Sequence, residues 1–272
     1  MRFFMSAAVL STLAAAGAAQ AQEAPWTGAY VGAHAGTSWQ ADKGSESILF
    51  DNNLDGNFND TVNTAAGANA FSPGFCSGTA IGATPAAGCR DDHNGFEFGV
   101  RAGYDRQFGS FVLGGLVEGT RADVEDAVSA FSTTPASYTM DRTLREVGAV
   151  RLRGGFAAGD TLFYGTGGLA MGRVHQTFAT TNTANSFTLD RDKWAKGYQF
   201  GGGLEHKVTP NVSLGVEYLY TRLKDDDFTV RAAGPAPATN PFILANAQGT
   251  DFARSAEHIK THSARVTVNY RF

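Results

Sequence analysis

The sequence predicts an all-β chain, an eight-stranded antiparallel up-and-down transmembrane β-barrel with long extracellular loops. Three observations predict it. Polarity alternates residue by residue over about eight stretches, each near the ~9–11 residues that a tilted spanning strand needs. The connections between these stretches alternate between tight turns and long polar links. After residue 21 no apolar run reaches the ~18 residues of a transmembrane helix. Strands in hydrocarbon satisfy their backbone N–H and C=O groups only when the sheet has no free edge, so a barrel must close.

The chain opens with Met1 and Arg2, followed by an alanine-rich apolar stretch from Phe3 to Ala19. This stretch is short, is broken by Ser6, Ser11 and Gly17, and ends in Ala19-Gln20-Ala21 with small residues at cleavage-site spacing. It predicts a secretory signal peptide over 1–21 and a barrel domain over 22–272. Losing Arg2 takes the 22 Lys and Arg to 21 against 26 Asp and Glu, a net charge of −5 that does not suggest a nucleic-acid partner.

Strands are expected over 26–39, 94–108, 111–125, 142–157, 161–177, 193–208, 211–223 and 262–272. Gly109-Ser110, Ala158-Gly159-Asp160 and Thr209-Pro210-Asn211 carry tight-turn chemistry, whereas 40–93, 126–141, 178–192 and 224–261 are long and polar. Outer-membrane barrels sort their connections in this way, with short turns on the periplasmic side and long loops outside.

Each strand divides into two faces. Phe96, Phe98, Val100, Ala102 and Tyr104 oppose Glu97, Gly99, Arg101 and Gly103, and Val266, Val268, Tyr270 and Phe272 oppose Arg265, Thr267, Asn269 and Arg271. Alternation alone does not tell a lipid-facing apolar side from a soluble core. The polar set decides, because it carries Glu97, Arg101, Glu118, Arg151, Arg153, Glu205, Glu217, Arg265 and Arg271. An eight-stranded barrel is just wide enough to be filled by side chains, so these charges are expected to meet as a lumen ionic network. Gly32, Gly36, Gly167, Gly168, Gly201, Gly202 and Gly203 leave room beside such long side chains. Trp26, Trp39, Trp194, Tyr218 and Tyr220 near strand ends suit interfacial girdles.

Cys76 and Cys89 are the only cysteines, sit in one loop-like region, and belong to an exported chain. A disulfide between them would constrain that loop by about 3 kcal/mol in the chain-entropy model. The segment from Asp51 to Asp60 matches part of a calcium-loop pattern, with Asp51, Asn53, Asp55 and Asn57 as candidate Ca2+ ligands, but Val62 stands where the bidentate Glu belongs. The six histidines are scattered without a HExxH or nucleophile-elbow setting, so the chain is expected not to be an enzyme.

The chain resembles the small eight-stranded outer-membrane proteins of Gram-negative bacteria, described as porin-family or OmpA-like β-barrels. The resemblance lies in Trp26-Thr27-Gly28-Ala29-Tyr30-Val31-Gly32, Arg151-Leu152-Arg153-Gly154-Gly155-Phe156 and Tyr164-Gly165-Thr166-Gly167-Gly168-Leu169-Ala170. It continues through Gly203-Leu204-Glu205 to Thr209-Pro210-Asn211, along Val212 to Tyr220, and closes with Asn269-Tyr270-Arg271-Phe272. It implies residence in the outer membrane, among lipid and lipopolysaccharide, and a terminal Phe272 read by the barrel-assembly machinery. Three roles follow: a structural and surface-interaction protein with an unknown extracellular partner, a small passive porin, or ligand capture by the loops. Some relatives are reported to bind haem, for which His93, His258 and His262 are candidates. The packed lumen argues against the porin, because useful aqueous channels need about 16 strands.

Overall fold

The computed structural model describes residues 26–272 apart from 42, 43, 45 and 190–192. The expected signal peptide therefore lies outside the described residues. Eight long strands build the barrel: β1 (Gly28–Gln40), β2 (Gly95–Phe108), β3 (Phe111–Ser132), β4 (Ala136–Ala158), β5 (Thr161–Thr180), β6 (Lys193–Lys207), β7 (Val212–Lys224) and β8 (His258–Arg271). Each pairs antiparallel with its neighbours in sequence, and β1 pairs with β8, so the sheet closes. Residues of one parity, such as Val100, Leu152, Leu169 and Val266, stand 61–75 % exposed on the outer wall. Their neighbours of the other parity fill the interior, as the pleat requires.

The strands are unequal, which the sequence reading missed. β3, β4 and β5 run 22, 23 and 20 residues, about twice what a bilayer needs. The segment 126–141, expected to be a polar loop, is instead the far end of the β3–β4 hairpin. The ladder shifts register between Arg121 and Val124 and between Leu144 and Glu146, where Arg145 is the extra residue of a bulge. A bulge bends a strand and increases its twist; here it separates the spanning parts, 111–121 and 146–158, from an extension beyond the membrane.

The other long links are ordered too. Ser186–Leu189, Thr229–Ala233, Thr250–Arg254 and Ile48–Asp51 form a separate four-stranded antiparallel sheet. With the β3–β4 extension this sheet encloses a second hydrophobic core that includes Phe50, Phe71, Tyr138, Met140, Phe242 and Phe252. A packed extracellular cap thus stands where long polar links were expected. Its aromatic residues are dispersed singly through polar sequence, so no periodic stretch announced them.

Candidate functional site

The lumen is built in tiers, each from side chains that strand parity directs inward. At the periplasmic end Arg153 donates to Asp105 (Nε to Oδ1, 2.9 Å) and to Glu205 (2.8 Å), while Arg271 donates to Asp105 (2.7 Å). Arg153 lies between the rings of Tyr30 and Tyr164, 4.9 Å from each centroid, an arrangement favoured by ring quadrupoles. Trp26, expected in an interfacial girdle, is fully buried below this tier, under Arg271 and Lys207. Its even number puts it in phase with Gly28 and Tyr30 on the inward face of β1.

The middle tier is a lattice of three guanidiniums and two carboxylates. Glu217 pairs with Arg101 (2.7 Å), Arg151 (3.1 Å) and Arg265 (2.7 Å). Glu118 pairs with Arg151 (2.7 Å), Arg265 (2.8 Å) and, more loosely, Arg101 (3.6 Å). Above it, Glu97 accepts from Ser38 and Ser263 and lies 3.7 Å from Arg265. All nine charges singled out in the sequence are therefore brought into one buried column, each at most 7 % exposed. The sequence reading missed Asp105, which makes five carboxylates for five arginines. The signal existed: residues 97, 101 and 105 share one phase of β2.

Glycines give these charges room. Gly32 lies opposite Arg101, Gly36 opposite Glu97 and Arg265, Gly168 opposite Arg151, and Gly203 opposite Glu217. At Gly36 an added Cβ would meet the Cβ of Arg265 at 2.6 Å. Gly167 and Gly202 fall on the other parity and face outward.

Polar contacts also seal the extracellular end. Arg142 donates to Asp126 (2.7 Å) and to the carbonyls of Ala256 (2.9 Å) and His258 (3.1 Å). Arg254, carried by the cap sheet, donates to Asp126 (2.5 Å) and to the Met140 carbonyl (2.8 Å), and pairs with Glu46. None of these residues entered the sequence-based network: Glu46, Asp126 and Arg254 lay in presumed loops, and Arg142 stood at the very start of an expected strand. In the extension, burial and the neighbouring Glu125 raise the Asp141 carboxyl to about 7, and burial raises Asp92, which precedes β2 and accepts from the extension's Ala127 N–H (2.9 Å), to about 6.

The remaining candidates disperse. Cys76 and Cys89 form the disulfide, beside the strand pair Thr79–Ala80 and Cys89–Arg90. In the calcium-like loop, Asp51 accepts from the backbone N–H groups of Leu54 (2.6 Å), Asp55 (3.2 Å) and Gly56 (2.8 Å). Asn53 donates to Asp55 (3.2 Å), which accepts from the N–H of Asn57 (2.8 Å). Among the described residues no three His, Cys, Asp or Glu side chains gather as for a metal ion. His93 pairs with Glu125 (3.1 Å) near β2 and β3, whereas His262 stacks on Trp39 and contacts the Tyr218 hydroxyl (2.5 Å). His258 opens β8 on the same side of the barrel as His262, and β1 lies between that strand and β2, so the three histidines do not converge.

A closed wall with a greasy exterior and an ionic, filled interior defines an integral barrel protein of a bacterial outer membrane. Residues 5–272 match the family described as outer membrane protein beta-barrel domain, and the chain belongs to that family. The 31 kDa outer-membrane immunogenic protein of Brucella melitensis is 30% identical over 180 residues, covering 65% of this chain and 67% of the relative. The 22 kDa outer membrane protein of Rhizobium leguminosarum bv. viciae is 31% identical over 139 residues, or 50% and 58% of the two chains. Among solved structures, the outer membrane protein OprG from Pseudomonas aeruginosa superposes with a TM-score of 0.47 at 11% identity, over 90% of this chain and 97% of that one. The protein resides in the outer membrane of a Gram-negative bacterium.

Proposed function

We propose that this protein is a sealed, non-catalytic anchor that presents an ordered module at the cell surface for contact with an extracellular partner. The observation that carries the reading is the filled lumen. Five arginines and five carboxylates, each at most 7 % exposed, occupy its length, with Trp26 below and Arg142 and Arg254 above. Opening a path would require separating ion pairs buried in a low-dielectric interior, at several kcal/mol each by order of magnitude. The cap supplies what a bare barrel lacks, a structured surface outside the membrane held by its own core. Phe272, 72 % exposed directly after β8, is the residue we assign to recognition by the assembly machinery.

Planar-bilayer recording on the purified, folded protein tests the reading. The expected result is a silent membrane, without reproducible conductance steps. Steady unitary currents from the unmodified protein would overturn it in favour of a passive porin.

A further inference from the structure

The cap sheet ends in two edges, and the chain treats them differently. Its strands lie in the order Ser186–Leu189, Thr229–Ala233, Thr250–Arg254, Ile48–Asp51. At the Ile48–Asp51 edge the chain folds back as a cover: the Asp60 N–H donates to the Phe50 carbonyl (3.0 Å), and the Asn52 side chain donates to the Thr61 carbonyl (3.0 Å). Ser186–Leu189 pairs with Thr229–Ala233 on one side and, among the described residues, has no strand paired along the other. Alternate residues of an antiparallel edge strand turn both N–H and C=O away from their neighbour. Two of these four residues therefore present ladder groups outward.

Edge strands of natural sheets commonly carry charges, proline or a bulge that hinders further pairing. Ser186-Phe187-Thr188-Leu189 carries none of these. Ser186 and Thr188 are exposed on one face, while Phe187 and Leu189 are half-buried against the cap core on the other. The Phe187 ring lies 5.1 Å from that of Phe178 and 6.1 Å from that of Tyr138. The aromatic core thus reaches the flank of the sheet and is only partly covered there.

We propose that this edge takes up an extended segment of another extracellular protein as a fifth strand of the cap sheet, an inference that rests on the cap being the surface that meets a partner. The edge defines the chemistry of its occupant. Outward N–H and C=O groups at strand spacing are matched by a polypeptide backbone in extended form. The two faces ask for alternation, with apolar side chains beside Phe187 and Leu189 and polar ones beside Ser186 and Thr188.

A second copy of the chain fits less well. Ser186–Leu189 lies on the return from the far end of β5 to the start of β6, so it runs down towards the membrane. Copies inserted in one outer membrane share their orientation, and two such edges meet running the same way. Antiparallel self-pairing needs one of them inverted.

Amide hydrogen exchange of the folded protein in detergent micelles tests the assignment, with the peptide acetyl-Lys-Thr-Val-Thr-Val-Thr-Lys-amide as the probe. The comparison is the same peptide N-methylated at its central residues, which keeps the side chains and removes the ladder donors. At saturation the unmodified peptide is expected to slow exchange at two alternate amides within 186–189 by at least about tenfold, and the N-methylated peptide should leave them unchanged. The variant S186K/T188K places charges at exposed positions of the edge and should weaken peptide binding by at least about tenfold. Gln248→Lys, exposed elsewhere on the cap, should bind as the unmodified protein does, and Thr188→Lys alone carries the comparison if the double variant does not fold. Absence of protection at 186–189, equal protection by the two peptides, or peptide-free protection that rises with protein concentration would overturn the assignment, the last in favour of a second copy. Absent protection together with a silent bilayer recording would sink the edge and leave the sealed anchor standing, whereas unitary currents from a protein whose edge is protected would do the reverse.

Discussion

Glu217 holds three guanidiniums at 2.7–3.1 Å with no exposure of its own side chain. Removing its charge leaves those cations one carboxylate short in a dry interior, so Glu217→Gln should destabilise the barrel by about 3–5 kcal/mol. Urea unfolding in detergent micelles measures the loss, and Glu257→Gln on the surface should change stability by less than about 0.5 kcal/mol. Asp51 predicts a smaller and local effect. Its carboxylate accepts from three backbone amides, so Asp51→Ala should speed amide exchange over 51–57, while calcium or a chelator should leave the unmodified loop unchanged. The lumen residues were legible because alternation and charge coincide on one face of each strand. Asp105 and Trp26 obey the same parity but were less legible: Asp105 lies in the last turnward part of β2, four residues before Gly109, and Trp26 resembles a girdle residue by its position near a strand end.

Strand length was the less legible quantity. The alternating pattern of β3 and β4 gives way, over 126–131, to residues buried on both faces, because the cap core covers one side and the 74–90 segment the other. Ser129 serves that second side, donating to the Gly78 carbonyl (2.8 Å) and accepting from the N–H of Ala80 (2.9 Å). A strand buried on both faces loses its two-residue period, and the extension therefore read as a link. The extension also has a pH dependence. The folded-state carboxyls of Asp141 and Asp92 lie at about 7 and about 6, above the ~3.9 of an unfolded chain. Their contribution is then fully present below the unfolded value and is lost as pH rises through the folded values. Amide exchange over 124–144, corrected for its intrinsic rate, should show more frequent opening at pH 8 than at pH 5, and D92N/D141N should abolish the difference. Reducing the Cys76–Cys89 bridge should loosen its own 13-residue interval by up to about 3 kcal/mol without shifting barrel unfolding.

At the scale of the whole molecule, two kinds of packing share the three longest strands, β3, β4 and β5. The barrel is held by closure, by its ionic column and by lipid, none of which reaches the cap. The cap is held by an aromatic core centred on Phe252, whose ring lies 5.0–6.4 Å from those of Phe50, Phe71, Tyr138, Phe178, Phe187 and Phe242. Those rings come from segments far apart in the chain, brought together only because the barrel gathers every long connection at one mouth. Sequence reading located the mouth but not this convergence, since no local pattern encodes contacts between separate loops. Phe252→Ala leaves a cavity where these rings meet and should cost the cap about 3–5 kcal/mol. In intact outer membranes its segments 46–93 and 225–257 should become open to added protease while the spanning strands stay protected. Electrophoresis separates the alternatives: the variant should still migrate differently before and after boiling, because the wall's hydrogen bonds are untouched. Loss of that difference together with cap cleavage would make cap and barrel one cooperative unit, with the extracellular module a part of what keeps the barrel closed.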